Sequence, residues 1–344
     1  MARHHRGNPA ASIRTEKIFG SPVLFSGLGS LCLSSEEINL LDTHYNNTLQ
    51  NLMRLYPRTP RCVIAFMAGS LPGRALLHLR QFSLFGMILH QESPHLSTLA
   101  ENVLTTCKPR GNSWFRQVRD LCLLYQLPHP LTLLSNPPPK SQFKTLVKKH
   151  ILNYWEIKLR AEASDYTSLK YFHPEYYSLA SPHPVWTTAG SSPYQIAKAT
   201  VQAKMLSGRY RTARLMRHWS QNREGYCLLP LCSGFEIQED IDHILVHCAS
   251  LEDTRTRLTD FSYSQCSNPV ISYLVQKYCT HKNHLFPQFL LDCSTIPEVI
   301  TASQEYGEYV LDQLFRITRT WCYSIHRTRL KLLGRWHVAN AICH

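Results

Sequence analysis

Cys227 and Cys232, with four residues between them, are followed ten residues later by His243 and, after four more, by Cys248. Sulfur and imidazole in this pattern are the ligands of a closed tetrahedral zinc site, in which two cysteines on a tight turn join two ligands a short way downstream. Pro230 folds the first pair into a turn, so that both sulfurs reach one point without a long loop to order. The run from Gln238 to Cys248 has acids early and Ile241, Ile244 and Leu245 at helical spacing, which reads as a short helix carrying His243 with Cys248 at its end. Five residues turn an ideal helix by about 500°, so His243 and Cys248 do not share a face, and the last turn has to unwind for both to reach one metal. Glu239, four residues before His243, is on its face and is the candidate acceptor for the second ring N–H. His247 is a substitute ligand. Without a metal, the same four residues pack as reduced core side chains, free cysteine behaving as a small hydrophobe.

A second chemical pattern lies just upstream. Arg209, Arg211, Arg214 and Arg217 are interleaved with Tyr210 and Trp219, and Arg223 follows. Guanidinium groups grip phosphates and aromatic rings stack on bases, so this segment is the candidate nucleic-acid contact. The alternative is an ordinary helix with Leu215, Met216 and Trp219 inward and the arginines in water. The charge distribution bears on the choice. Residues 1–226 carry 27 lysines and arginines against 12 acids, whereas residues 227–344 carry 10 against 12. All of the net charge of +13 therefore precedes the cysteine segment. A basic face attracts polyanions by counterion release, which puts nucleic acid first among partners and an anionic membrane surface second.

The elements that position these residues are helices. Ser34 and Glu37 form a capping box ahead of Ile38, Leu41, Tyr45, Leu49, Leu52, Met53 and Tyr56 at helical spacing, with Pro57 and Pro60 as the stop. Further helices are expected from Pro72 to Leu89, His95 to Cys107 and Trp114 to Tyr125. Residues 136–140, Asn-Pro-Pro-Pro-Lys, read as a linker. Phe143, Val147, Ile151 and Trp155 follow on a long helix that is basic at Lys144, Lys148 and Lys149. Tyr171 to Pro193 reads as loop, then helix to Leu206 with Gly208 closing it. A last helix from Tyr306 to about Leu333 buries Val310, Leu314, Ile317 and Trp321. The expected fold is mainly α: helical bundle segments, a small zinc knuckle and a C-terminal helical region. Its divisions are an extended segment 1–33, a helical domain 34–135, the linker 136–140, a helical region 141–206, the basic helix and knuckle 207–255, and the helical region 256–344. At 344 residues the chain has room for about two cores. It contains no run of 18 apolar residues and no secretory leader pattern, so a membrane span is not expected and the location is intracellular, nuclear or cytoplasmic. The other nine cysteines are scattered singly, as reduced thiols are. Asn46-Asn-Thr48 matches a glycosylation acceptor without a secretory route to use it.

Several stretches resemble the C-terminal region of non-LTR (LINE-type) retrotransposon reverse transcriptases. They are Gly208-Arg-Tyr-Arg-Thr212, Arg217-His-Trp-Ser220, Gly225-Tyr-Cys-Leu-Leu-Pro-Leu-Cys232 and Glu239 through Cys248. Ser70-Leu-Pro-Gly-Arg74 and Ser113-Trp-Phe115 also resemble the helical region that follows the polymerase thumb in those polyproteins. The resemblance implies that Cys227, Cys232, His243 and Cys248 bind one structural zinc ion. It further implies that the basic helices hold template RNA or target DNA during target-primed reverse transcription, beside an upstream polymerase domain.

Catalysis is not expected of these residues. A two-metal polymerase needs paired carboxylates to clamp the attacking and leaving oxygens, and the Phe/Tyr-Ala-Asp-Asp signature of that family is absent: no Asp-Asp pair occurs in the sequence. The endonuclease half is missing as well, and Gly20-Ser-Pro-Val reads as lying within the thumb-to-tail connection, so the chain reads as a tail fragment or truncated copy. Ser26-Gly-Leu-Gly-Ser30 is no phosphate loop, and no Gly-x-Ser-x-Gly nucleophile turn is present. The expectation is a non-catalytic nucleic-acid-binding tail. A helical protein-interaction scaffold pinned by a structural zinc is the competing one.

Overall fold

The computed structural model describes residues 7–91, 94–106, 113–217, 224–266, 268–279 and 283–342. The capping box forms at Ser34, whose Oγ accepts from Glu37 N at 3.3 Å while Glu37 Oε2 accepts from Ser34 N at 2.7 Å. Helix Ser35–Leu52 follows and turns Tyr45 and Leu49 inward. It ends before Pro57, because Arg54 takes a left-handed backbone (φ 55°) that sends Tyr56 into a loop. Helices Gly73–Leu89, Pro94–Thr106 and Trp114–Leu124 stand where periodicity and prolines place them. Helix Lys140–Ser164 buries Phe143, Val147, Ile151, Trp155, Leu159 and Ala163, every fourth residue, which is the stripe of a helix lying along a core. No strand occurs among the described residues, so the chain is mainly α; Tyr226 and Gln238 form an isolated antiparallel bridge.

Three expectations change. Residues 9–30 are not extended. Asn8 caps helix Pro9–Thr15, its side chain accepting from Ala10 N at 2.8 Å, and a π segment Glu16–Gly20 and helix Ser21–Leu24 continue it. Asn8 also donates to Trp186 O at 3.2 Å, so the N-terminal turn is held by the short helix Pro184–Thr187, which stands inside the stretch Tyr171 to Pro193 expected as loop because Pro184 opens a helical turn there. Helix Arg61–Ala68 had no periodic signature because Cys62 through Ala68 are all buried, which leaves no polar face to alternate with. Finally, the Pro-rich residues 137–139 do not separate two cores. The Phe143 ring lies 6.3 Å from that of Phe85, against Gly86, and buried apolar residues from Ile13 to Ile325 form one connected cluster.

Helix Glu308–Ile342 runs from this cluster to the cysteine segment. Gln202, on helix Pro193–Leu206, donates to Leu290 O at 2.8 Å and to Thr318 Oγ1 at 3.0 Å, and Trp321 Nε1 donates to Ser262 Oγ at 2.7 Å. No single helix among the described residues is long and apolar enough to cross a membrane. The bent pair Arg61–Ala68 and Gly73–Leu89 reaches that length together, at an angle of 62°.

Gly69 closes helix Arg61–Ala68 in a left-handed conformation (φ 55°), and a Cβ there would fall 2.0 Å from the Ser181 carbonyl carbon. Gly69→Ala should therefore destabilise the protein by left-handed strain of about 1–2 kcal/mol and by overpacking of about 1–3 kcal/mol. A urea midpoint equal to that of the parent would contradict this account of the turn.

Candidate metal centre

Backbone hydrogen bonds build the knuckle first. Cys227 N donates to Ile237 O at 2.7 Å and Glu239 N to Gly225 O at 3.0 Å, pinning the two ends of a loop together. Within it Cys232 N and Ser233 N both donate to Leu229 O at 2.9 Å, a tight turn over Pro230, and Gly234 supplies the left-handed residue (φ 93°) that reverses the chain. Leu231 N donates to Ser250 Oγ at 2.9 Å and so ties this turn to the far side of the site. Downstream, Asp240 Oδ1 accepts from His243 N at 2.8 Å and starts the helical segment. That segment, His243–His247, is wound as a π-helix, and Cys248 N donates to His243 O at 2.7 Å. An i→i+5 hydrogen bond brings residues five apart onto one side. The unwinding that the spacing required is achieved by widening the turn.

The outcome is a buried cluster. The Cys227, Cys232 and Cys248 sulfurs and a His243 ring nitrogen lie within 4.8 Å of one another, and these residues can hold a metal ion. All four side chains are at most 4% exposed. The Cys232 and Cys248 sulfurs are 3.6 Å apart, too far for a disulfide. His243 Nε2 is buried and has no hydrogen-bond partner among the described residues, so a metal bond is open to the ring. The hydrogen bond with Cys248, and burial after it, push the Cys227 thiol well above its ordinary value. Three sulfurs shut away from water need a cation among them to exist as thiolates. His247 is exposed and is not among the clustered residues.

Glu239 does not serve His243. Its Oε2 accepts from Ala213 N at 3.3 Å, and its Oε1 is ion-paired with Arg329 on the long C-terminal helix. Both partners are buried, at 1% and 7% exposure, so the acid ties the knuckle to the helical core. Arg255, on helix Glu252–Ser264, adds a second tie by donating to Cys248 O at 2.6 Å. Neither Arg255 nor Arg329 has a spacing that would have pointed to this role.

The basic segment is divided among three environments. Arg209 is half-buried, with its Nε lacking a hydrogen-bond partner among the described residues. Tyr210 is 3% exposed, shares a 2.7 Å hydrogen bond with His326 Nδ1, and lies under the Arg329 guanidinium, so its ring is core and cannot stack on a base. Arg211 reaches the Tyr56 ring instead. Arg214, on the short helix Ala213–Met216, is exposed and lies 3.5 Å from Asp240, beside a cleft of about 400 Å³ that Arg217 and Lys170 also line. Arg211 and Arg214 thus face different partners, and Tyr210 is withdrawn into the core. Trp219 and Arg223 lie outside the described residues. No family model matches the chain, and neither a curated protein nor a solved structure matches it.

Proposed function

We propose that the metal is a single structural zinc ion and that the chain is a non-catalytic, nucleic-acid-binding tail of a LINE-type reverse transcriptase. The observation that carries the proposal is the buried Cys227, Cys232, His243, Cys248 cluster, to which the basic segment 209–217 is tied through Glu239. Three sulfurs and one imidazole in a closed site suit zinc. Zinc–sulfur bonds of about 2.3 Å in a tetrahedron set the sulfurs about 3.8 Å apart, and Cys232 and Cys248 are at 3.6 Å. The metal pins the knuckle and, through Glu239 and Arg329, the end of the basic segment to the helical core. Template RNA or target DNA is the partner that fits the positive excess of residues 1–226, and an upstream polymerase domain supplies the catalysis.

Anisotropy titrations of labelled single-stranded RNA and DNA against the purified chain test this. For single strands, log K should fall with log salt at a slope of about −0.7 per contacted phosphate. A total slope of about −3 or steeper is expected, and flat or absent binding would end the proposal. The scaffold reading has one observation in its favour: Leu231, Phe235 and Ile237 are exposed at the knuckle beside Glu236, an apolar and acidic tip that suits a protein surface better than a phosphate backbone. Charging Phe235 would then abolish a protein contact and leave nucleic-acid affinity unchanged.

A further inference from the structure

Cations from distant parts of the chain crowd around one tyrosine. Lys204 Nζ, in the last turn of helix Pro193–Leu206, stands 4.5 Å from the centre of the Tyr56 ring, and the Arg211 guanidinium carbon stands 4.8 Å from it. Burial, and after it the charges of Arg211 and Arg54, hold the Lys204 ammonium below its ordinary value. Burial, and then the charges of Arg329, Lys204 and Arg327, push His326 on the C-terminal helix down to about 4. Four segments thus meet: the loop 53–60, the end of the 193–206 helix, residue 211, and the C-terminal helix. Neither Lys204 nor Arg211 has a carboxylate partner among the described residues.

Like charges gathered this closely oppose folding, and cation–π contacts of about 0.5–1 kcal/mol each return only part of that. The loop itself is strained, since Arg54 and Arg58 both have positive φ (55° and 64°). It is nevertheless fixed, with Gln50 Nε2 and Thr59 Oγ1 donating to Tyr56 O at 3.0 and 2.7 Å. A rigid, crowded set of cations is relieved when an anion arrives. Tyr56 carries the cations and so orients them, leaving the contact blind to base identity.

We propose that Lys204 and Arg211, both held on the Tyr56 ring, form the phosphate-gripping centre of the nucleic-acid interface. This rests on the nucleic-acid reading above, and it moves the binding site away from the knuckle to a surface that only the fold assembles. A nucleic-acid backbone is favoured over an acidic peptide because the positive excess extends over residues 1–226 and not over this cluster alone.

The test is the double variant Lys204→Gln/Arg211→Gln of the full chain, titrated with labelled oligo(U) RNA and oligo(dT) DNA over a range of salt. Affinity should fall about tenfold at physiological salt, and the salt slope should lose about two phosphate contacts, one for each cation. The comparison variant Lys144→Gln/Lys148→Gln, which removes equal charge from the outer face of the 140–164 helix, should change both far less. A folded double variant that binds like the parent at every salt concentration overturns this site and leaves the nucleic-acid reading standing. A parent that binds neither probe overturns both. Should the double variant fail to fold, the single variant Arg211→Gln, at an exposed residue, is measured in its place: a loss of about one phosphate contact is expected, and parent-like binding at every salt concentration overturns the site. Poly-glutamate competing as well as oligo(U) would overturn nucleic acid as the occupant.

Discussion

Serine at Cys248 should empty the metal site and open residues 225–251. The purified parent is expected to hold about one zinc per molecule, and the Cys248→Ser variant close to none, because three ligands seldom retain a structural metal. The local effect should be large, since structural zinc contributes about 10–16 kcal/mol in isolated finger peptides, comparable with the whole stability of an ordinary domain. It will be smaller here. Leu229, Ile244, Leu245 and Leu251 are fully buried around the ligands and retain their packing without metal. Metal analysis and limited proteolysis check this directly. New cleavages should appear between 225 and 251 in the variant, and in the parent treated with a chelator, and added zinc should protect only the parent. Equal zinc content and an unchanged cleavage pattern would remove the metal from the account.

The second large effect concerns Glu239. Alanine there leaves the Arg329 guanidinium buried against Tyr210 without its counter-charge and strips Ala213 N of its acceptor. Breaking one side of a buried pair costs about 3–5 kcal/mol, because the remaining charge stays out of water. Glu239→Ala should lower stability by that amount in urea unfolding. Glu239→Gln, which keeps an oxygen for Ala213 N, should fall between it and the parent. Combining Glu239→Ala with Arg329→Met removes both charges and should recover much of the loss, so the two changes will not be additive. An additive cycle, or a Glu239→Ala loss below about 1 kcal/mol, would show that the pair does not join knuckle to helix as described.

The helices were legible wherever an amphipathic stripe or a cap marks them. Ser34 with Glu37, the four-residue rhythm from Phe143 to Trp155, and Pro193 with Gly208 each placed an element correctly, because these signals are local. Helix Arg61–Ala68 was not legible, as burial on all sides erases the alternation that periodicity depends on. The turns at 9–24 were passed over despite the Asn8-Pro9 start signal, and their partners lie near Trp186.

The four metal-site residues were read from spacing alone, since ligand type and interval are set by coordination chemistry, which any fold around the site has to satisfy. Even the conflict between five-residue spacing and an ideal helix was visible, and the π turn at His243–His247 is its resolution. What surrounds the ligands was decided by the tertiary structure. Glu239 looked like a partner of His243 along the helix, yet Arg329, ninety residues away, offers a full charge at the same place and wins it. Tyr210 and Arg211 are adjacent in sequence and alternate in type, but burial sends one into the core and the other to Tyr56. Sequence thus determined which atoms can bind a metal and where most helices lie, because both depend on interactions among near neighbours. Which cations face one another, and which aromatic ring is free, depends on residues 90 to 155 positions apart that meet only when the helices pack.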